Sequence, residues 1–171
     1  WGDSAPQYLK QFCSEEKLDI NIPDFKNIGY WFRPRVILEL AIEKNAIENV
    51  KDADIRDFIF VAMSESIRLV SNRRNGEFKM FRMQTPKVLS FRPDVYGEFA
   101  KILDRNIEKM EDFVAILNEN GSIPEVSIFR NSACTLEDVP NDKYDLIVTS
   151  PPYGDSRTTV AYGEYSRLSL Q

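Results

Sequence analysis

Four consecutive residues, Ser150-Pro151-Pro152-Tyr153, bring together the groups in this chain best suited to chemistry. They offer a hydroxyl, a pair of prolines and an aromatic ring. Proline fixes φ and has no N–H, so the loop is stiff and its carbonyls lack local amide partners. That kit suits a planar base with an exocyclic amino group. Such an amine is a poor nucleophile, because its lone pair is delocalised into the ring. Hydrogen bonds from its protons to a serine oxygen and a proline-flanked carbonyl would draw it out of plane. Tyr153 would then stack on a base turned out of its helix. Direct attack on an activated methyl needs no covalent enzyme intermediate, and proximity and orientation supply most of the acceleration. The plainer reading is a structural Pro-Pro turn capped by an aromatic.

Other chemistries are excluded by the residues themselves. The chain has no histidine, so His-based triads and Cys/His zinc sites are ruled out, and no metal is expected. Its two cysteines, Cys13 and Cys134, make no disulfide framework, and neither follows a proline as the nucleophile for methylation at cytosine carbon 5 does. The seven glycines are scattered, with no G-x-G or phosphate-loop fingerprint.

A second pattern concerns binding. Between residues 68 and 92 lie Arg68, Arg73, Arg74, Lys79, Arg82, Lys87 and Arg92 against the single acid Glu77, a net +6 in a chain of net −5. Phe78, Met80, Phe81, Met83 and Phe91 are interleaved. Cations alternating with aromatics suit phosphate contact combined with base or sugar stacking. A solvated loop whose cations balance acidic neighbours is the alternative. The acidic whole, with a pI near 4.9, argues against a non-specific nucleic-acid binder.

These residues need elements to hold them. Tyr8 to Leu18 is expected as a short helix. The run from Asp19 to Asp24 reads as extended, because Pro23 disfavours helix before it. Tyr30-Trp31-Phe32 reads as a hydrophobic plug rather than a stacking surface. Pro34 fits the first turn of a helix reaching about Asn49, with Val36, Ile37, Leu40, Ala41 and Ile47 as its apolar stripe. A second helix starts at Asp52 or Asp54, runs to about Val70, and is expected to be buried. Thr85-Pro86 and Arg92-Pro93 mark the basic window as loop. A third helix spans about Asp94 to Asn118, with Gly121 as a left-handed cap residue. Val126 to Phe129 and Tyr144 to Thr149 read as strands of a largely parallel sheet. The expectation is thus an α/β protein. Residues 1–121 form a mostly helical region carrying the basic loop 68–92 as its candidate nucleic-acid face, and residues 122–171 form part of an α/β domain carrying the tetrad. A sheet's carboxyl edge is where such folds hold ligands, and the tetrad would sit there. The longest apolar run, Phe58 to Met63, is too short to span a membrane. The N-terminus does not read as a signal peptide. The chain is therefore expected to be soluble and intracellular.

The run Asp145-Leu146-Ile147-Val148-Thr149-Ser150-Pro151-Pro152-Tyr153-Gly154-Asp155-Ser156 resembles the catalytic motif of amino-methylating DNA methyltransferases. The likeness continues through Arg157 to Ser166 and appears upstream in Arg74 to Met83. The Ser-Pro-Pro-Tyr form is typical of the cytosine-N4 enzymes, and Asp-Pro-Pro-Tyr of the adenine-N6 enzymes. The resemblance implies a partial Rossmann-like methyltransferase sheet and S-adenosyl-L-methionine as cofactor. It also implies site-specific methylation of DNA in a prokaryotic cytoplasm, within a restriction-modification system. Ser150 and the Pro151 carbonyl would hold the target amine, Pro152 would keep the loop rigid, and Tyr153 would stack on the base. Arg73, Arg74, Lys79, Arg82, Lys87 and Arg92 would contact DNA. Asn131-Ser132 stands where the family carries a Gly-Asp pair lining the cofactor pocket. The family's Phe-x-Gly-x-Gly segment is absent from the sequence. The expectation is therefore a fragment, or one half of a split enzyme, inactive as this chain alone and completed by a second polypeptide or segment. Adenine-N6 methylation of DNA, guanine-N2 methylation of RNA, or a non-catalytic binding subunit are the alternatives.

Overall fold

The computed structural model describes residues 4–74, 81–119, 121, 125–129, 131–132, 135–136, 139–140 and 144–149. Six helices are assigned among them: α1 (Ala5–Glu15), α2 (Ile28–Trp31), α3 (Pro34–Glu48), α4 (Ala53–Val70), α5 (Thr85–Ser90) and α6 (Val95–Glu119).

Local chemistry sets most of the helix ends. In α1, Pro6 sits in the first turn, and Leu9 and Cys13 extend the buried stripe begun by Ala5. Lys17 then adopts a left-handed φ of 55°. The Leu18 N–H reaches the Cys13 carbonyl at 2.9 Å, and the Lys17 N–H reaches Ser14 at 3.3 Å. This paired closure satisfies two carbonyls that the helix end would otherwise orphan. Arg33 is extended (φ −80°, ψ 152°), as the residue before proline must be, and Pro34 opens α3. At α4, the Asp52 carboxylate accepts from the backbone N–H groups of Asp54 and Ile55, both at 3.0 Å. Asp94 caps α6 through the Gly97 N–H at 3.0 Å. Gly121 has the expected positive φ, 70°.

The core lies between α1, α3, α4 and the first half of α6. Leu40 and Ile37 of α3 meet Met63, Ile67 and Val70 of α4, and Val95 closes one side. Trp31 and Phe32 are buried in the same cluster, so two of the three aromatics form the expected plug. The third, Tyr30, is 49% exposed. α6 packs along α4 and against α3. Arg105 of α6 grips Glu65 of α4 with two bonds of 3.0 and 2.6 Å.

Three expectations need correction. The first is the fold class. The described residues are helical and contain no strand and no sheet, which overturns the α/β, Rossmann-like assignment. Residues 125–129 and 144–149 carry no regular secondary structure, and Ile128 and Val148 are 89% and 88% exposed. A strand is defined by its neighbour. An apolar run becomes one only where a second chain segment takes up its N–H and C=O groups, and here none does among the described residues. The second concerns α4, which is not buried all round: Ile55 and Val61 face outward. The third is the basic window, which is not all loop. It contains α5, because Pro86 falls in a first turn, where its missing N–H costs nothing.

Among the described residues no helix is long and apolar enough to cross a membrane, and no cluster of three acidic or cysteine side chains is placed to hold a metal.

Candidate nucleic-acid interface

The frame of the basic window is a short antiparallel pairing. The Arg74 N–H donates to the Phe81 carbonyl at 2.7 Å, and Arg73 and Arg82 form an isolated β-bridge. Next to it, the Met83 N–H donates to the Asn72 carbonyl (2.8 Å), and the Asn72 N–H donates to the Trp31 carbonyl (2.7 Å). The window is thereby tied to the turn between α2 and α3. A second tie comes from the other side. One terminal nitrogen of Arg33 reaches the carbonyls of Val88, Leu89 and Phe91 at 3.3, 3.2 and 3.0 Å. These are the carbonyls that the end of α5 leaves unsatisfied, so a cation here also matches the negative pole of that helix.

Between the two ties lies a cavity of about 670 Å³. Its walls come from α2 (Gly29, Tyr30), the start of α3 (Arg33 to Val36), the bridge (Asn72, Arg82) and the α5 region (Thr85, Val88, Leu89, Phe91 to Pro93). Four arginines, Arg33, Arg35, Arg82 and Arg92, line it, and no carboxylate does among the described residues. Arg35 pairs outside it with Glu39 at 2.7 Å, and that contact holds its pKa above the ordinary arginine value. The Arg82 guanidinium lies over the Tyr30 ring, 4.7 Å from its centroid, while its Nε donates to the Tyr30 carbonyl at 2.8 Å. Tyr30 stands edge-on to Trp31. Asn72 is 2% exposed and its Nδ2 donates to the Tyr30 carbonyl at 3.1 Å. Its Oδ1 has no hydrogen-bond partner among the described residues.

The expected site residues separate on this frame. Arg82 and Arg92 line the cavity, and Arg73 and Arg74 sit at the bridge beside it. Lys87 is exposed on α5. Arg92 is partly spent on structure, donating to Leu89 O at 2.6 Å and Phe91 O at 3.0 Å. Lys79 lies outside the described residues, as do Ser150, Pro151, Pro152 and Tyr153. Asn131 and Ser132 are exposed and do not line the cavity; the Ser132 carbonyl closes a turn by accepting from the N–H groups of Thr135 and Leu136. Reading the sequence missed Arg33, Arg35 and Asn72, and took Tyr30 for part of the plug rather than a stacking surface. Arg33-Pro34-Arg35 is a visible signal, since two cations flank the residue that opens a helix.

S-adenosyl-L-methionine carries a sulfonium and an ammonium. A cavity lined by four guanidinium groups, and by no carboxylate among the described residues, opposes both charges. This cavity therefore does not fit the cofactor that the motif implies. It fits an anion with an apolar body.

No protein-family profile matches the chain, and no solved structure matches it. The chain is similar to the type II methyltransferase M.MvaI of Kocuria varians, with 44% identity over 153 residues, which is 88% of this chain. That stretch is 34% of the relative, so the chain spans about a third of the length of the protein it matches.

Proposed function

We propose that the chain is part of a DNA methyltransferase that modifies the exocyclic N4 amine of cytosine within a defined sequence, with S-adenosyl-L-methionine as methyl donor. The observation that carries this reading is the 44% identity to a type II methyltransferase over most of the chain. The setting is a restriction-modification system in a prokaryotic cytoplasm. Residues 1–121 serve as the DNA-facing region and residues 122–171 carry the tetrad. Ser150 and the Pro151 carbonyl accept hydrogen bonds from the target amine, Pro152 keeps the loop rigid, and Tyr153 stacks on the base. Arg73, Arg74, Lys79, Arg82, Lys87 and Arg92 contact the phosphates, and Asn131 and Ser132 lie towards the donor. The donor's Gly-rich site is supplied outside these residues, by a further segment or a second polypeptide.

The test is methyl transfer to duplex oligonucleotides by the full-length protein, with nucleoside analysis of the product. N4-methylcytosine that disappears in Ser150→Ala supports the reading. N6-methyladenine would correct the base, and transfer undiminished in Ser150→Ala would remove the tetrad from the chemistry.

A second reading is a subunit that binds DNA without transferring a methyl group. The arginine-lined cavity favours it, since its lining suits an anion better than the methyl donor. DNA binding with no transfer under any pairing of chains would select it.

A further inference from the structure

We infer that the cavity between α2, α3 and α5 receives a single unstacked nucleotide of DNA. The inference rests on the DNA reading above and adds a base-binding pocket to it.

Three observations lead there. Its volume, about 670 Å³, falls within the roughly 300–1,000 Å³ of small-ligand pockets. A surface that only tracks phosphates needs cations and no hollow. Here the hollow is mainly apolar, with Val36, Leu89, Phe91 and the Tyr30 ring in its wall, so its occupant has a flat apolar body. The arginines then fix the charge of the occupant. With Arg82 and Arg92 among four lining guanidinium groups and no carboxylate among the described lining residues, an anionic group is favoured over a cationic one. A base ring supplies the apolar body and its phosphate the anion.

A nucleotide inside a strand and a free mononucleotide share this chemistry. The strand is favoured because the cations do not end at the cavity. Lys87 lies exposed on α5, and the bridge sets Arg73 opposite the cavity-lining Arg82, which suits the flanking phosphates.

The experiment is photo-crosslinking of the full-length protein to a short single-stranded oligonucleotide carrying one 5-iodo-deoxyuridine, alongside anisotropy measurements of its affinity. The expected crosslink maps to Tyr30 or Phe91. Tyr30→Ala is expected to weaken binding by roughly five- to a hundredfold, the range for losing one stacked base. Tyr30→Phe, which keeps the ring, restores it. Leu89→Glu, at an exposed position that sets a carboxylate in the wall, abolishes the crosslink with the fold intact by circular dichroism. Deoxycytidine monophosphate at millimolar concentration competes only weakly; competition as strong as by the oligonucleotide would replace the strand with a free nucleotide and overturn the assignment. Binding with crosslinks elsewhere, unaffected by Leu89→Glu, overturns the pocket and leaves the DNA reading standing. No binding to any DNA overturns both.

Discussion

Arg82 holds Tyr30 from two sides at once: its Nε donates to the tyrosine carbonyl at 2.8 Å, and its guanidinium carbon lies 4.7 Å from the centre of the same ring. The pair joins the basic window to the turn before α3. Arg82→Lys keeps the charge but loses the planar fork, and is expected to cost about 1–2 kcal/mol of stability. A double-mutant cycle with Tyr30→Ala removes the ring and leaves the carbonyl. The coupling measured by denaturant unfolding should be about 0.5–1 kcal/mol, the part due to the ring face.

Glu43 gives the fold a pH dependence. It is 5% exposed on α3, both carboxyl oxygens lack partners among the described residues, and burial pushes its pKa up to about 8. In the unfolded chain it titrates near 4.5. Between those values the folded state binds the extra proton, so stability falls as pH rises. The contribution is complete below about 4.5 and is lost by the time pH passes about 8, at which point the core holds a charge. Glu43→Gln is expected to flatten the slope of melting temperature against pH between 5 and 9. It should gain on the order of a few kcal/mol relative to wild type at the alkaline end. An unchanged slope would mean that another group controls it.

The two contacts between α4 and its neighbours differ in worth. Ile67 is fully buried in the core, and Ile67→Ala should cost roughly 2–5 kcal/mol. The Arg105–Glu65 pair is two-pronged but exposed, and it lowers the Glu65 pKa chiefly through the Arg105 hydrogen bond. Glu65→Gln should cost about 1 kcal/mol or less, and less again at high salt. Urea titrations of both variants at two ionic strengths check the contrast.

Asp52 caps α4 with two bonds and no competing role. Asp52→Ala should lower stability by about 1 kcal/mol, while Asp52→Ser should be nearly neutral. Thermal melts resolve a difference of that size.

Lys87 isolates the electrostatic part of DNA binding, since it is exposed. If it meets one phosphate, Lys87→Gln lowers the slope of log K against log salt by about 0.7 on single strands without changing which sequences bind. An unchanged slope places the strand elsewhere.

The helices were legible because their signals are local. Pro34, Asp52, Asp94 and Gly121 each act within a turn of their own position, and the apolar stripe of α3 maps directly onto its buried face. α5 was hidden because Thr85-Pro86 reads equally as a break and as a helix start. The strands failed for a different reason. Leu146-Ile147-Val148 is apolar enough for one, but pairing is a property of two segments, and only one of them is written at that point in the sequence. Half of the cavity was legible. The cations of 68–92 stood out against an acidic chain, but the apolar wall and the Asn72 acceptor arise from residues some forty positions apart. The tetrad is the reverse case, conspicuous in sequence and outside the described residues.

The bridge between Arg73 and Arg82 has a consequence for how this region can vary. With 72–74 tied to 81–83, the described residues that line the cavity all lie outside the six positions between those two segments. Closing a loop costs only about 0.6 kcal/mol more for each doubling of its length. Insertions, deletions and exchanges there are thus cheap and leave the walls as they are. The chain thus keeps the residues that build the cavity apart from a stretch whose length can change, and variation between those two arginines should be tolerated better than variation around them.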